Sequence, residues 1–299
     1  MADPDLPAGL TARPLTPADA PAVYGLMAAQ ELADLGEVVI EEADIVADWQ
    51  RPSFDLATSA VGVLESDRMV GYAEASGADR GDAAVHPGAR GRGIGTWLAH
   101  RMQDLARAQG ATVVGMPVPQ GSPGDRLLAE LGYHVRWTSW VLQLPEGRTV
   151  PERPLPAGYA VRAARAEEHR ACWTVLEDAF LEWSERDRQS FEDFTATVLE
   201  RPGYEPWQLR VVTDDGEVVA AAVLTMGEGT GYVARLATRR DRRGRGLAQA
   251  LLVDAFAEAR AHGAVRSELS TDSRTGALGL YEKVGMQVTS TWVNRAIAL

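Results

Sequence analysis

Apolar positions in the second half of the chain follow two different periods. Between residues 172 and 183 they have the 3.6-residue period of a helix with one buried face, at positions 172, 175, 176, 179, 180 and 183. The apolar runs 207–213 and 217–226 flank Asp215-Gly216, which predicts an antiparallel hairpin. A third run at 232–238 follows a glycine-rich turn. The pattern therefore predicts a helix followed by a meander of strands.

Both halves of the chain are predicted to contain the same elements in the same order. Each half begins with a short strand and a helix and continues with the antiparallel meander. A loop rich in arginine and glycine then opens a long helix, at 94–110 in one half and 247–263 in the other. A strand, a short helix and a final strand complete each half. This order predicts an α/β fold class of the α+β type, with a mixed sheet.

Identical letters recur at a constant distance along the chain. Arg90 and Arg243 are 153 positions apart, and so are Gly132 and Gly285. The openings of the two halves are also alike, with an offset of 149 positions between residues 8–16 and 157–165. A constant offset across several kinds of position indicates an internal duplication.

The segment 144–158 separates the two copies. It contains four prolines, which remove backbone donors and favour an extended linker. We therefore predict two tandem domains, at residues 1–150 and 151–299. Two domains of about 150 residues suit a chain of 299 residues.

Composition and charge exclude several classes of protein. The formal net charge is −12, which disfavours a nucleic-acid partner. No window approaches the ~18 consecutive apolar residues of a membrane helix, and the N-terminus does not resemble a secretion signal. Cys172 is the only cysteine, and the five histidines lack metal-ligand spacing. We expect a cytoplasmic protein with no metal, and Cys172 as a buried apolar residue.

The repeated loop, Arg-x-x-Gly-x-Gly/Ala before a helix, is typical of an anion-binding site. Glycines let backbone N–H groups converge on one point, and the helix that follows adds free N–H groups and a positive dipole end. Such a nest suits a pyrophosphate. A Walker loop would need a lysine that neither copy has, and a dinucleotide fingerprint would need a third glycine where Thr96 and Gln249 stand.

These residues resemble the GNAT superfamily of acyl-CoA N-acyltransferases. The signature Val-x-Pro-x-x-Arg-x-x-Gly-x-Gly matches Val85 to Gly95, and the second copy matches from Arg243 to Ala248, with Thr238 and Arg240 in the Val and Pro places. A later family motif resembles residues 277–286. The tandem layout resembles double-domain enzymes of the mycothiol synthase type.

The resemblance implies acetyl-CoA as cosubstrate, and a sheet that splays beside the loop so that pantetheine lies along the preceding strand. In the second copy it assigns coenzyme binding to Leu236, Ala237, Thr238, Arg243, Gly244, Arg245, Gly246, Leu247 and Ala248, with Ser273 in the place of a family asparagine that precedes the last helix. In the first copy the corresponding residues are Ala84, Val85, Arg90, Gly91, Arg92, Gly93, Ile94 and Gly95.

The two copies differ at the position of the family's general acid. The family tyrosine corresponds to Tyr281, whereas the first copy has Leu128 there. A phenol can donate a proton to a departing thiolate, and leucine cannot. We therefore expect the second domain to be catalytic and the first to be supporting or degenerate. Tyr232 occupies the place where some relatives carry a basic carboxylate, and Glu228 is the nearest substitute as general base.

Three functions fit these residues. The first is an N-acetyltransferase that acetylates the primary amine of a small molecule by direct attack. The second is a peptide or protein N-acetyltransferase, and the third is a non-catalytic acyl-CoA-binding sensor. We also expect no nucleic-acid or membrane partner, and a monomer in which the two domains form an internal pseudo-dimer.

Overall fold

The computed structural model describes residues 5–77 and 79–299. It divides into two compact units, Met1–Thr138 with Trp292–Leu299 (unit 1) and Ser139–Thr291 (unit 2). In the part of the chain that is described, no helix is both long and apolar enough to cross a membrane. Each unit is a mixed α/β structure, which confirms the predicted fold class.

The sheet of unit 1 is mixed: four antiparallel strands are followed by one parallel pair. Its elements are β1 (Thr11–Pro14), α1 (Ala20–Leu35), α2 (Glu42–Trp49), α3 (Leu56–Ser59), β2 (Ala60–Glu65), β3 (Arg68–Ser76), β4 (Arg80–Val85), α4 (Ile94–Ala108), β5 (Val113–Pro119) and α5 (Pro123–Glu130). β1 to β4 pair in sequence as an antiparallel meander. β4 and β5 are parallel.

Unit 2 repeats this arrangement. After β6 (His134–Gln143), its elements are β7 (Tyr159–Ala163), α6 (His169–Phe180), α7 (Phe191–Phe194), β8 (Leu209–Asp214), β9 (Glu217–Gly227), β10 (Thr230–Thr238), α8 (Leu247–Ala261), β11 (Arg266–Asp272) and α9 (Leu278–Lys283). The last strand is β12 (Gln287–Ala298). The predicted hairpin is confirmed, because β8 and β9 pair across Asp215 and Gly216, which both have positive φ.

The last strand of each copy is shared between the units. Ser139–Gln143, the second part of β6, pairs with β11 and belongs to unit 2. Trp292–Ala298, the second part of β12, pairs with β5 and belongs to unit 1. The first segment of unit 1 consequently ends at Thr138, and unit 2 begins at Ser139. The domain boundary predicted from the prolines lies near residue 150. The difference arises because the strand pairing of residues 139–143 extends unit 2 towards the N-terminus.

Two apolar layers enclose the sheet of unit 2. On one face α8 contributes Leu251 and Phe256, and on the other α6 contributes Cys172 beside Phe194. Cys172 has no exposed surface, and burial raises the pKa of its thiol to about 12. The thiol therefore stays protonated, as expected for a buried apolar residue.

Candidate functional site

Unit 2 contains a cavity of about 780 Å³ where four of its segments meet. The segments are the end of β10, the end of β11, the glycine loop before α8, and α9. The last residue of α6, Phe180, and the stretch after it, with Glu182 and Trp183, also line the cavity. This volume lies within the range of about 300–1,000 Å³ that is typical of small-molecule sites.

The cavity opens because two neighbouring strands diverge. β10 and β11 are paired in parallel from Thr230↔Arg266 to Val233↔Leu269, and the pairing ends there. β10 continues to Thr238 with β9 alone, after an irregularity between Val233 and Arg235. The free edge of β10 beyond Val233 therefore faces the cavity, which confirms the expected splay and offers backbone groups to an extended ligand.

The glycine loop presents free N–H groups to the same cavity. Gly244 and Gly246 have φ of 76° and 81°, and Gly246 is the N-cap of α8. The first bond of the helix runs from the Ala250 N–H to the Gly246 carbonyl, so the N–H groups of residues 247–249 have no backbone acceptor in the described chain. Unit 1 has the same geometry, with φ of 74° at Gly91 and 86° at Gly93. Both loops have the backbone geometry of an anion-binding nest.

The signature arginines are engaged by other side chains. Arg243 makes two hydrogen bonds to Glu182, of 2.9 and 2.7 Å, and Arg90 makes two of 2.8 Å to Asp34. Arg245 donates to the Tyr159 hydroxyl at 2.8 Å and is not among the residues that line the cavity. The loop thus offers an anion its backbone, while the arginine side chains fix the loop against the rest of the unit.

The Thr238 hydroxyl lies at the cavity. The Thr238 Oγ1 atom is buried and makes no hydrogen bond within the described structure. An unsatisfied buried hydroxyl costs about 1–3 kcal/mol, so it is suited to a polar ligand group. Together with the free loop N–H groups, this hydroxyl fits the phosphate and amide groups of acetyl-CoA.

Tyr281 lines the cavity from α9. It is 9% exposed, and its hydroxyl has no hydrogen-bond partner in the described structure. Burial, and to a lesser extent the charge of Tyr232, raises the pKa of Tyr281 to about 12. The phenol is therefore protonated throughout the neutral range and available as a donor. Leu128, its counterpart in unit 1, is a buried core residue of α5.

Two of the predicted site residues lie elsewhere. Glu228 is exposed in the turn between β9 and β10 and is not part of the cavity wall. Ser273 does not line the cavity and does not cap α9, because the N-cap is Ala277 and its N–H is accepted by the Thr275 hydroxyl at 3.1 Å. The carboxylates in the wall are Glu182 and Asp272. The sequence alone does not show that these two distant segments converge on one cavity.

In unit 1, the strand edge that corresponds to the free edge of β10 is partly occupied by a side chain of the same unit. Among the described residues, β4 and β5 pair at Arg80↔Gly115 alone, so this unit has a splay as well. The Val85 N–H, however, donates to the Gln30 side chain of α1 at 2.8 Å. A group expected to meet pantetheine in the first copy therefore already has an acceptor.

Known proteins resemble the chain over most of its length. The model of the Acetyltransferase (GNAT) family matches residues 26–133 and 164–286. A protein of Sanguibacter keddieii named mycothiol acetyltransferase is 32% identical over 219 residues, 69% of this chain and 67% of that protein. A GCN5-related N-acetyltransferase from Sphaerobacter thermophilus superposes with a TM-score of 0.75 at 28% identity, covering 98% of this chain and 97% of its own. A tandem GNAT protein from the clavulanic acid biosynthesis pathway superposes with a TM-score of 0.72 at 19% identity, covering 97% and 98%, which shows the same fold.

Proposed function

Because the chain belongs to the acetyltransferase (GNAT) family, we propose that unit 2 transfers the acetyl group of acetyl-CoA to a primary amine of a small molecule. The observation that carries this proposal is the cavity in which the splayed edge of β10, the glycine loop and Tyr281 meet. Each of the three supplies one requirement of the reaction: a track for the pantetheine, a nest for the pyrophosphate and a donor for the leaving group.

Coenzyme binding is assigned mainly to backbone groups. The N–H groups at the start of α8 would hold the pyrophosphate, with Gly244 and Gly246 allowing its close approach. The edge of β10 from Leu236 to Thr238 would pair with the pantetheine amides. In this arrangement the thioester lies near the divergence of the strands, where a free N–H of β10 can stabilise the developing oxyanion.

The chemical step needs one proton donor and one proton acceptor. The amine nitrogen attacks the acetyl carbonyl, the C–N bond forms and the C–S bond breaks. Tyr281 donates a hydrogen bond, and finally its proton, to the departing sulfur. Because its pKa is raised to about 12, the phenol does not lose this proton to solvent at neutral or mildly alkaline pH. The attacking amine releases a proton in exchange.

The acceptor of that proton is a carboxylate reached directly or through water. Glu228 stays our predicted base, and in its exposed turn it would act through water. Asp272 is the alternative in the cavity wall, where Arg274 holds it with a hydrogen bond of 2.6 Å. Comparing Glu228→Gln with Asp272→Asn by the pH profile of kcat/KM assigns the role, because loss of the base removes the acidic limb.

A small acceptor is supported by two independent facts. Phe180, Glu182 and Trp183 line the cavity, and its volume of about 780 Å³ suits a compact substrate. The relatives of similar length are named mycothiol acetyltransferases, a name that describes a small-molecule acceptor.

The test measures release of thiol from acetyl-CoA with a panel of small amines. We expect turnover by the parent protein and a fall in kcat of roughly 100-fold or more in Tyr281→Phe, the usual contribution of an acid catalyst. Tyr204→Phe is the matched control: it also removes a buried hydroxyl from unit 2, but Tyr204 is outside the cavity, and within the described part of the chain its hydroxyl has no partner. This variant is expected to keep the parent rate.

Other outcomes select the other hypotheses. Coenzyme binding without turnover on any small amine or peptide would favour a sensor, and turnover on peptides alone would favour a peptide acetyltransferase. If Leu128→Ala abolishes turnover and Tyr281→Phe does not, unit 1 is the active domain.

A further inference from the structure

The guanidinium of Arg153 lies on the glycine loop of unit 2. A Cβ atom placed on Gly246 would be 2.7 Å from the Arg153 Cδ and 2.9 Å from its Nε. Arg153 also lines the cavity. In the described structure it makes no hydrogen bond and no ion pair, in contrast to the neighbouring Arg243 and Arg245.

The chain around Arg153 is fixed in this place. Val150 is 3% exposed and packs in the core of unit 2, and Leu155 packs partly against the same core. Between them, the Pro151 carbonyl accepts a hydrogen bond of 2.7 Å from the Gln249 side chain in the first turn of α8. The segment 150–155 is therefore anchored at both ends and against the loop, which places the Arg153 side chain over Gly246.

From this geometry we infer that Arg153 is a phosphate-binding residue of the coenzyme site, and that its guanidinium pairs with the pyrophosphate held by the loop. This inference rests on the proposed function. The Arg153 guanidinium lies beside the free N–H groups at the start of α8, and its positive charge can balance the negative charge of a pyrophosphate. Because the guanidinium is planar with several N–H groups, it can also bind two of the pyrophosphate oxygens. The arginines of the signature are committed to Glu182 and Tyr159, so the countercharge comes from the linker.

The corresponding glycine of unit 1, Gly93, has different surroundings. Among the residues that the structure describes, its nearest side chain is Pro7, whose Cγ is 3.6 Å from the position of an added Cβ. Proline offers no charge and no donor. The two loops have the same backbone geometry, so the inference predicts tighter pyrophosphate binding by the loop of unit 2.

The experiment titrates the full chain with CoA by calorimetry, in a Gly93→Val background that distorts the loop of unit 1. Arg153→Gln is expected to raise Kd roughly three- to tenfold and to flatten its dependence on salt, because one exposed charge-assisted contact is lost. Arg148→Gln is the matched control: it makes the same change of charge in the same linker, and Arg148 is exposed and outside the cavity. Its Kd is expected to equal that of the background protein.

A second titration with dephospho-CoA separates the two phosphate sources. Pairing with the pyrophosphate predicts the same loss of affinity for CoA and dephospho-CoA, whereas a loss confined to CoA would assign Arg153 to the 3′-phosphate and overturn the inference. An unchanged Kd in Arg153→Gln, with the thermal midpoint preserved, would also overturn it. If the parent protein binds neither CoA nor acetyl-CoA, the proposed function fails instead, and the two failures are distinguished.

Discussion

At the residue scale, one small cluster is repeated in both units and controls where the first helix begins. Glu168 accepts two hydrogen bonds from Arg162, of 2.7 and 2.6 Å, and one of 2.8 Å from the Arg165 N–H. In unit 1, Asp19 makes the same contacts with Arg13 and with the N–H of Thr16. These clusters lie 149 positions apart, the offset found between the openings of the two halves. Each satisfies a free N–H at the start of a helical segment.

The Glu168 cluster predicts a specific dependence of stability on acid. The Arg162 guanidinium lowers the pKa of Glu168 from 4.5 to about 2. A carboxyl whose pKa is depressed by folding stabilises the protein above its ordinary pKa, and this contribution is lost as the pH falls from 4.5 to about 2. We expect Glu168→Gln to lower the free energy of unfolding at pH 7 by about 1–2 kcal/mol and to reduce the loss of stability in that window. Glu167→Gln, an exposed neighbour, is the control in urea unfolding. Equal curves for the two variants would contradict the role of the cluster.

Single residues differed in how far the sequence could identify them. Tyr281 was identified because it belongs to a local motif, and the structure places it in the cavity wall. Arg153 and Asp272 could not be identified in this way, because their importance depends on which distant segment each one meets. At the start of α9, the Ala277 N–H donates to the hydroxyl of Thr275 and not to that of Ser273.

At the element scale, the two glycines of the loop in unit 2 have different surroundings. Both have positive φ, 76° at Gly244 and 81° at Gly246. An added Cβ would meet nothing within 4 Å at Gly244, whereas at Gly246 it would meet the Arg153 side chain. Gly244 is therefore favoured by its positive φ alone. Gly246 is favoured both by its positive φ and by the close approach of the Arg153 side chain.

This contrast predicts a non-additive effect on coenzyme affinity. Gly246→Ala displaces Arg153, so adding Arg153→Gln to it is expected to change the Kd for CoA by less than about twofold. Gly244→Ala leaves Arg153 in place, so the same addition is expected to weaken binding roughly three- to tenfold. Calorimetric titration of the four proteins measures both ratios. Equal ratios in the two backgrounds would contradict contact between Arg153 and Gly246.

At the scale of the whole molecule, the sequence predicted the duplication but not the exchange of the last strands. β6 begins at His134 and β12 at Gln287, so the two strands keep the 153-residue offset. This offset would be the same whether each strand paired within its own copy or with the other copy. Alternation of apolar residues tells which face of a strand is buried, and it does not identify the neighbouring strand. The partner is determined by the tertiary structure alone.

Removal of residues 292–299 is expected to destabilise unit 1 selectively. These residues pair with β5 from Val113 to Pro119, and Val293 packs in the core of unit 1. Their loss leaves β5 without this partner, so its amides should lose protection from hydrogen exchange. Amides of β8 and β9 in unit 2 are the internal control and should keep theirs. Protection lost equally in both units, or in neither, would contradict the strand assignment.

The shared last strands also bear on how a duplicated gene can change. A mutation that deletes one copy would also remove a strand segment from the sheet of the other, so the surviving copy would be left with an incomplete sheet. Selection can therefore retain a copy whose chemistry has lapsed. A copy with leucine at position 128 can be retained in this way, because the sheet of the other copy is incomplete without its strand segment.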